Sequence, residues 1–235
     1  MTSLPVALIG LGKMGRALEQ LAPERGFSVV ARIGNGQAIT RTSLNGAAVA
    51  IEFTVPAVAP ANVHACLEAG CPVVVGTTGW YAELPAIREE VQRRKGALLT
   101  APNFSLGVAV FTQLVREAAR RFAALPGFDA HLVEIHHAAK KDAPSGTATA
   151  LAAAAADVRG SPVPITSIRT GSVPGTHELL FDAPFEQVRL VHEARDRRVF
   201  AEGALEAARW IVGRQGIFTM QDVIATSDSR TSEQR

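Results

Sequence analysis

The chain has 235 residues, 47% hydrophobic and 20% charged, a mix that excludes a disordered chain or a membrane bundle and allows one large domain or two small ones. Twenty-four basic residues against twenty-two acidic leave a formal charge of +2, too little for a global field that grips nucleic acid. Two cysteines, Cys66 and Cys71, are too few for a disulfide framework, and only His64 stands near them, so no metal site is expected there.

The first hundred residues alternate short apolar strands with helical stretches. No charged leader precedes the first strand, and no apolar run reaches the roughly 18 residues of a membrane span. A cytoplasmic protein without membrane or nucleic-acid partners is the expectation. Strands are predicted at 5–9, 27–33, 49–54, 73–77 and 97–100, and helices at 14–22, 60–69 and 84–95. That spacing means βαβ units and a parallel sheet.

After residue 103 the pattern changes. A helix is predicted at 106–125, with Val110, Leu114, Val115 and Phe122 on its buried side. A strand at 130–137, a helix at 146–158 and β-rich stretches at 165–170, 178–181 and 187–193 follow. A helix at 200–212 and the apolar run 216–224 return to the first domain, and the polar tail 227–235 is expected to fray. The predicted architecture is α/β: a Rossmann-type parallel-sheet domain of residues 1–103 with 206–235, and an α+β domain of 104–205 with an open mixed sheet.

Gly10-Leu11-Gly12-Lys13-Met14-Gly15 is G-x-G-x-x-G between a predicted strand and a predicted helix. Gly10 permits the turn, Gly12 lets backbone approach a pyrophosphate, and Gly15 lets helix pack on strand. The helix N-terminus then meets the phosphates. Such sites place an acid about 20 residues on to hold a ribose 2′-hydroxyl. Here no acid lies between Arg25 and Ile51, and Arg32 stands in its place. A guanidinium pairs with a 2′-phosphate, which favours NADPH over NADH without excluding NADH. The competing reading is an arginine on a solvated strand end.

The second dense motif runs from Glu134 to Thr147. The chain has four lysines against twenty arginines, yet Lys140 and Lys141 are adjacent here, beside His136 and His137. A lysine can give up a proton and an arginine cannot; a histidine transfers protons near neutral pH. His136 and His137 as joint metal ligands are disfavoured, because successive strand side chains face opposite ways. The lysine pair also reads as solvated surface, and Pro144-Ser145-Gly146-Thr147 as a helix start capped by Ser145. A helix beginning there aims amides at a carboxylate.

The pattern Glu-x-His-His-x-x-Lys-x-Asp-Ala-Pro-Ser-Gly-Thr resembles the signature of the 4-hydroxy-tetrahydrodipicolinate reductase (dihydrodipicolinate reductase) family. Phe53-Thr54, Gly76-Thr77-Thr78-Gly79 and Ala101-Pro102-Asn103-Phe104-Ser105 with Gly107-Val108 are similar to family segments in the same order. The resemblance implies a two-domain NADH- or NADPH-dependent reductase, a homotetramer, acting on a small cyclic dicarboxylate of the lysine and diaminopimelate pathway. It implies that Gly10, Gly12, Lys13, Met14, Gly15, Phe53, Gly76, Thr77, Thr78, Ala101, Pro102, Asn103 and Phe104 contact the cofactor. It implies His136 as proton donor or acceptor and Lys140 as proton donor, with His137, Lys140, Ser145, Gly146 and Thr147 at the substrate. The chain departs from many members in its shorter glycine loop, in Arg32, in Val55 where some have arginine, and in a trimmed segment at 172–175. Arg197 reads equally as substrate contact or surface charge. A nucleotide sensor without chemistry, or a different Rossmann reductase, are the other classes the glycine loop allows.

Overall fold

The computed structural model describes residues 3–225; the tail expected to fray lies outside them. In chain order the molecule forms β1 (Leu4–Ile9), α1 (Lys13–Leu21), β2 (Phe27–Ile33), β3 (Val49–Glu52), α2 (Ala59–Glu68), β4 (Val73–Val75), α3 (Leu84–Arg94) and β5 (Ala97–Thr100). Then come α4 (Leu106–Ala123), β6 (Asp129–His136), α5 (Gly146–Arg159), β7 (Ile165–Arg169), β8 (Thr176–Ala183), β9 (Glu186–Glu193), α6 (Arg198–Ile211) and β10 (Gly216–Phe218), with residues 220–225 helical at the end of the described part. These elements make two compact units. One holds the described residues up to Leu106 and from Arg198 onward; the other is Gly107–Arg197.

The first unit carries a six-stranded sheet in the order β10-β5-β4-β3-β1-β2, with every pairing parallel. Its strands are apolar on both faces, as a sheet covered on both sides requires. Ala7, Ile9, Ala50, Val73, Val75 and Leu98 join Val63, Cys66 and Leu67 of α2 and Ile87 and Val91 of α3 in one core cluster. Strand alternation turns Val6, Leu8, Ile51, Val74 and Leu99 to the other face, where α6 lies against β3, β4 and β5. Both cysteines are buried free thiols, and burial pushes the Cys71 thiol up to about 11. The order of the sheet reverses at β1, between β2 on one side and β3 on the other, and in open parallel sheets ligands bind outside the strand carboxyl ends at such a point.

The second unit carries a four-stranded mixed sheet, β7-β6-β8-β9, with β6 and β7 parallel and the other pairings antiparallel. Leu132, Leu179 and Phe181 pack with Phe111, Val115 and Ala119 of α4 and Leu151 and Ala155 of α5. The α4 expectation needs correction. Val110 and Leu114 are 44% and 52% exposed, because the buried stripe runs through Val108, Phe111, Val115 and Ala119, and these two stand one residue off it. Other limits also differ. β3 and β4 stop two residues early, since Thr54 N–H leaves the ladder to bond Thr77 Oγ1 at 2.8 Å. β8 is twice the length expected, since Thr176 and His177 pair on both sides. No helix among the described residues is long and apolar enough to cross a membrane.

Candidate active site

In the first unit the expected nucleotide residues fall at the carboxyl ends of neighbouring strands: Gly10 after β1, Phe53 after β3, Gly76 to Thr78 after β4, and Ala101 to Phe104 after β5. Gly10 has φ 92° and lies so close to the Phe53 carbonyl that no Cβ fits. Gly15 is held against the Gly10 carbonyl in the same way, which brings α1 onto the turn. Gly12 is the N-cap of α1 and has no capping side chain; an added Cβ there would meet nothing within 4 Å. The first turn of α1 carries no acid and no side chain caps it, so nothing there offsets the positive dipole end of the helix. That cradle fits a pyrophosphate.

The remaining nucleotide candidates divide by exposure. Lys13, Thr78 and Pro102 are exposed and Met14, Phe53, Gly76 and Asn103 half-buried, whereas Ala101, Phe104 and Thr77 are buried. Gly76 leaves the room that the Phe53 ring fills, and Phe53 meets Phe104 edge-on at 5.7 Å. Phe104 therefore supports Phe53 from the core. Thr77 bonds Thr54 N–H, and its carbonyl accepts from Trp80 Nε1 at 2.7 Å, so it shapes the loop from within. Arg32 lies in β2 and its Nε donates to Glu19 of α1 at 2.6 Å. That partner is hidden in the sequence because the pair is thirteen residues apart.

In the second unit, strand alternation places Leu132, Glu134 and His136 on the buried face of β6. His136 Nδ1 is bonded to Glu134 Oε2. Glu134 Oε1 accepts from Arg169 Nη2 at 2.6 Å and from Ser145 N–H at 3.3 Å. Arg169 Nη2 also donates to the Asp142 carbonyl at 2.6 Å, and the Asp142 carboxylate accepts from Lys140 Nζ at 2.7 and 2.9 Å. One hydrogen-bonded chain thus runs His136–Glu134–Arg169–Asp142–Lys140. Burial alone would raise the Glu134 carboxyl, but the hydrogen bonds from Arg169, Ser167 and His136 outweigh it and hold the group down to about 2. Burial pulls His136 below the ordinary histidine value, and Lys140 and Arg169 add to this while Glu134 opposes it.

Ser145 caps α5, as expected, by accepting from Ala148 N–H at 3.1 Å. Its Oγ also lies 3.4 Å from His177 Nε2. Gly146, the first helical residue, is exposed with open space above its Cα, and Thr147 follows half-buried. β6 ends at His136, so His137 leaves the strand and lines a cavity of about 460 Å³ with Ala138, Ala139, Gly171, Ser172, Pro174 and Arg197. Arg197, open in the sequence between two readings, belongs to this cavity. Burial drives His177 down to about 4, with the nearby His136 and His192 in support.

The sequence alone assigns no role to Glu134, Arg169 or His177. The two-residue spacing of Glu134 and His136 on a strand is the available signal; Arg169 and His177 reach them only through the pairing of β7 and β8 with β6. Glu134, His136 and His177 offer ligand atoms within 4.8 Å of one another. Both Glu134 oxygens are already engaged and a guanidinium sits on one, so the arrangement favours a carboxylate–imidazole pair over a cation site.

A family model described as "Dihydrodipicolinate reductase, N-terminus" matches residues 4–104, and one described as "Dihydrodipicolinate reductase, C-terminus" matches 107–224. A protein of Christiangramia forsetii named 4-hydroxy-tetrahydrodipicolinate reductase is 35% identical over 94% of this chain and 97% of its own. One of the same name from Xanthomonas euvesicatoria pv. vesicatoria is 39% identical over 91% and 94%. Among solved structures, a dipicolinate-bound dihydrodipicolinate reductase from Paenisporosarcina shares the fold with a TM-score of 0.79 at 22% identity, covering 93% of this chain and 98% of that one. Matched in order through both halves and over nearly its whole length, the chain belongs to the dihydrodipicolinate reductase family.

Proposed function

We propose that this chain reduces 4-hydroxy-tetrahydrodipicolinate to tetrahydrodipicolinate with NADH or NADPH, a step of lysine and diaminopimelate biosynthesis. The observation that carries the mechanism is the buried Glu134–His136 pair, tied through Arg169 and Asp142 to Lys140 beside the N-terminus of α5. When bound, the reduced nicotinamide supplies a hydride, and water leaves the substrate ring. His136 gives a proton to the ring from Nε2, and Lys140 stabilises or quenches the charge that develops as hydride arrives. His137, Lys140, Gly146 and Thr147 hold the carboxylates, with Ser145 fixing the helix start; Arg197, in the cavity with His137, adds a second cation.

The first unit takes the nucleotide: α1's N-terminus with Gly10, Gly12, Lys13, Met14 and Gly15 holds the pyrophosphate, and Phe53, Gly76, Thr77, Thr78 and the loop Ala101, Pro102, Asn103 and Phe104 shape the rest. NADPH is favoured over NADH by Arg32, for which a 2′-phosphate competes with Glu19. The exposed apolar residues Val110, Leu114, Phe185 and Val191 of the second unit support self-association, as a homotetramer, in the cytoplasm. The test is cofactor oxidation with the freshly made condensation product of pyruvate and aspartate semialdehyde. Turnover that dipicolinate inhibits competitively is the expected result; nucleotide binding without turnover would overturn the reading.

A further inference from the structure

The geometry points to Glu134 and Arg169 as one positioning pair, which fixes His136 with its Nδ1–H on Glu134 and leaves Nε2 as the nitrogen that handles the proton. This rests on the role given to His136 above. Glu134 is fully buried, and its two oxygens hold different partners. Oε2 meets His136 Nδ1, while Oε1 takes Arg169 Nη2 at 2.6 Å and Ser145 N–H at 3.3 Å. A carboxylate only accepts hydrogen bonds, so the ring nitrogen facing it must carry a proton. Arg169 keeps that carboxylate from rotating and, through the Asp142 carbonyl, ties it to the turn that bears Lys140. The ring and the ammonium are thus set relative to one another by a single guanidinium.

The other ring nitrogen faces a second device. Gly175 has φ 153°, and a Cβ there would stand 2.9 Å from His136 Nε2. The missing side chain leaves the ring the room it occupies at Nε2, where a Cβ would push it off the Glu134 carboxylate or displace the strand. The groups facing His136 are Glu134 on its own strand, Arg169 from β7, His177 from β8, and Lys140 from the following turn. His177 meets the ring edge-on at 5.3 Å, and burial keeps it neutral. Only Glu134 among them favours the charged imidazole.

Wild type, H136Q and E134Q are to be compared in turnover across pH, with KM for nucleotide. E134Q is expected to lower kcat roughly 10- to 100-fold, a part of the 10²–10⁴ that a general acid contributes, with KM for nucleotide unchanged. It should also move the alkaline limb of the kcat profile to lower pH, because the one group that raises His136 is gone; a merely structural loss would leave the limb in place. If H136Q is impaired while E134Q keeps wild-type kcat and limb, the positioning pair falls and the acid assignment stands. If H136Q turns over like wild type, both fall. Should E134Q not fold, nitrogen NMR of the wild-type protein decides: neutral His136 protonated at Nδ1 supports the pair, and protonation at Nε2 overturns it.

Discussion

His136 and Lys140 are held in different ways, and their substitutions should read differently. His136 is buried, whereas Lys140 and Asp142 form an ion pair with the Asp142 carboxylate mostly in water. Removing the ammonium leaves an exposed carboxylate, which costs little folding energy. Lys140→Ala should therefore lower kcat by roughly 10²–10⁴-fold with an unchanged thermal midpoint. His136→Gln should cost a similar factor in kcat; a near-wild-type rate in either removes that residue from proton transfer. Arg32→Ala should raise KM for NADPH relative to NADH, and an unchanged ratio would refute its role. His136 and Lys140 are visible in the sequence because their chemistry is unusual for an arginine-rich chain, and Arg32 because it stands where an acid is expected. Glu134 is not, because a glutamate in a strand looks like any other until its neighbours β7 and β8 close around it.

At the scale of elements, legibility follows from whether the determinants are local. β2 and β5 have the limits expected, each set by an apolar run with glycine before it. α5 begins where Ser145 predicts. The length of β8 and the buried stripe of α4 escape the sequence, since strand partners and the sheet's location decide them. Helix α6 depends on a contact equally invisible in sequence: a Cβ on Gly203 would run into the Phe104 carbonyl. That carbonyl belongs to the loop that follows β5, so a methyl group there displaces the loop or the helix. Gly203→Ala should destabilise the fold by about 1–3 kcal/mol despite better helix propensity. Thermal melting checks this, and a wild-type midpoint would show that the loop yields.

Across the whole molecule, acid should act through the second unit first. His177 ionises near 4 when folded against about 6.5 unfolded, so between these values the unfolded chain binds more protons and stability falls as pH falls. His136 and His192, also lowered by burial, act in the same direction. Glu134, held to about 2 against about 4.3 unfolded, adds a second loss between those values. The thermal midpoint should drop from pH 7 to pH 5, and His177→Asn should flatten that slope; a slope the variant leaves unchanged would exclude His177 as its source.

The chain path gives the two sheets different histories on the ribosome. β10 is the edge strand beside β5, and α6 covers β3, β4 and β5, yet both are synthesised after every other strand of the two sheets. The second unit is one uninterrupted stretch, Gly107–Arg197. It is able to close while the nascent nucleotide-binding half still waits, with one face of its sheet bare, for α6 to emerge.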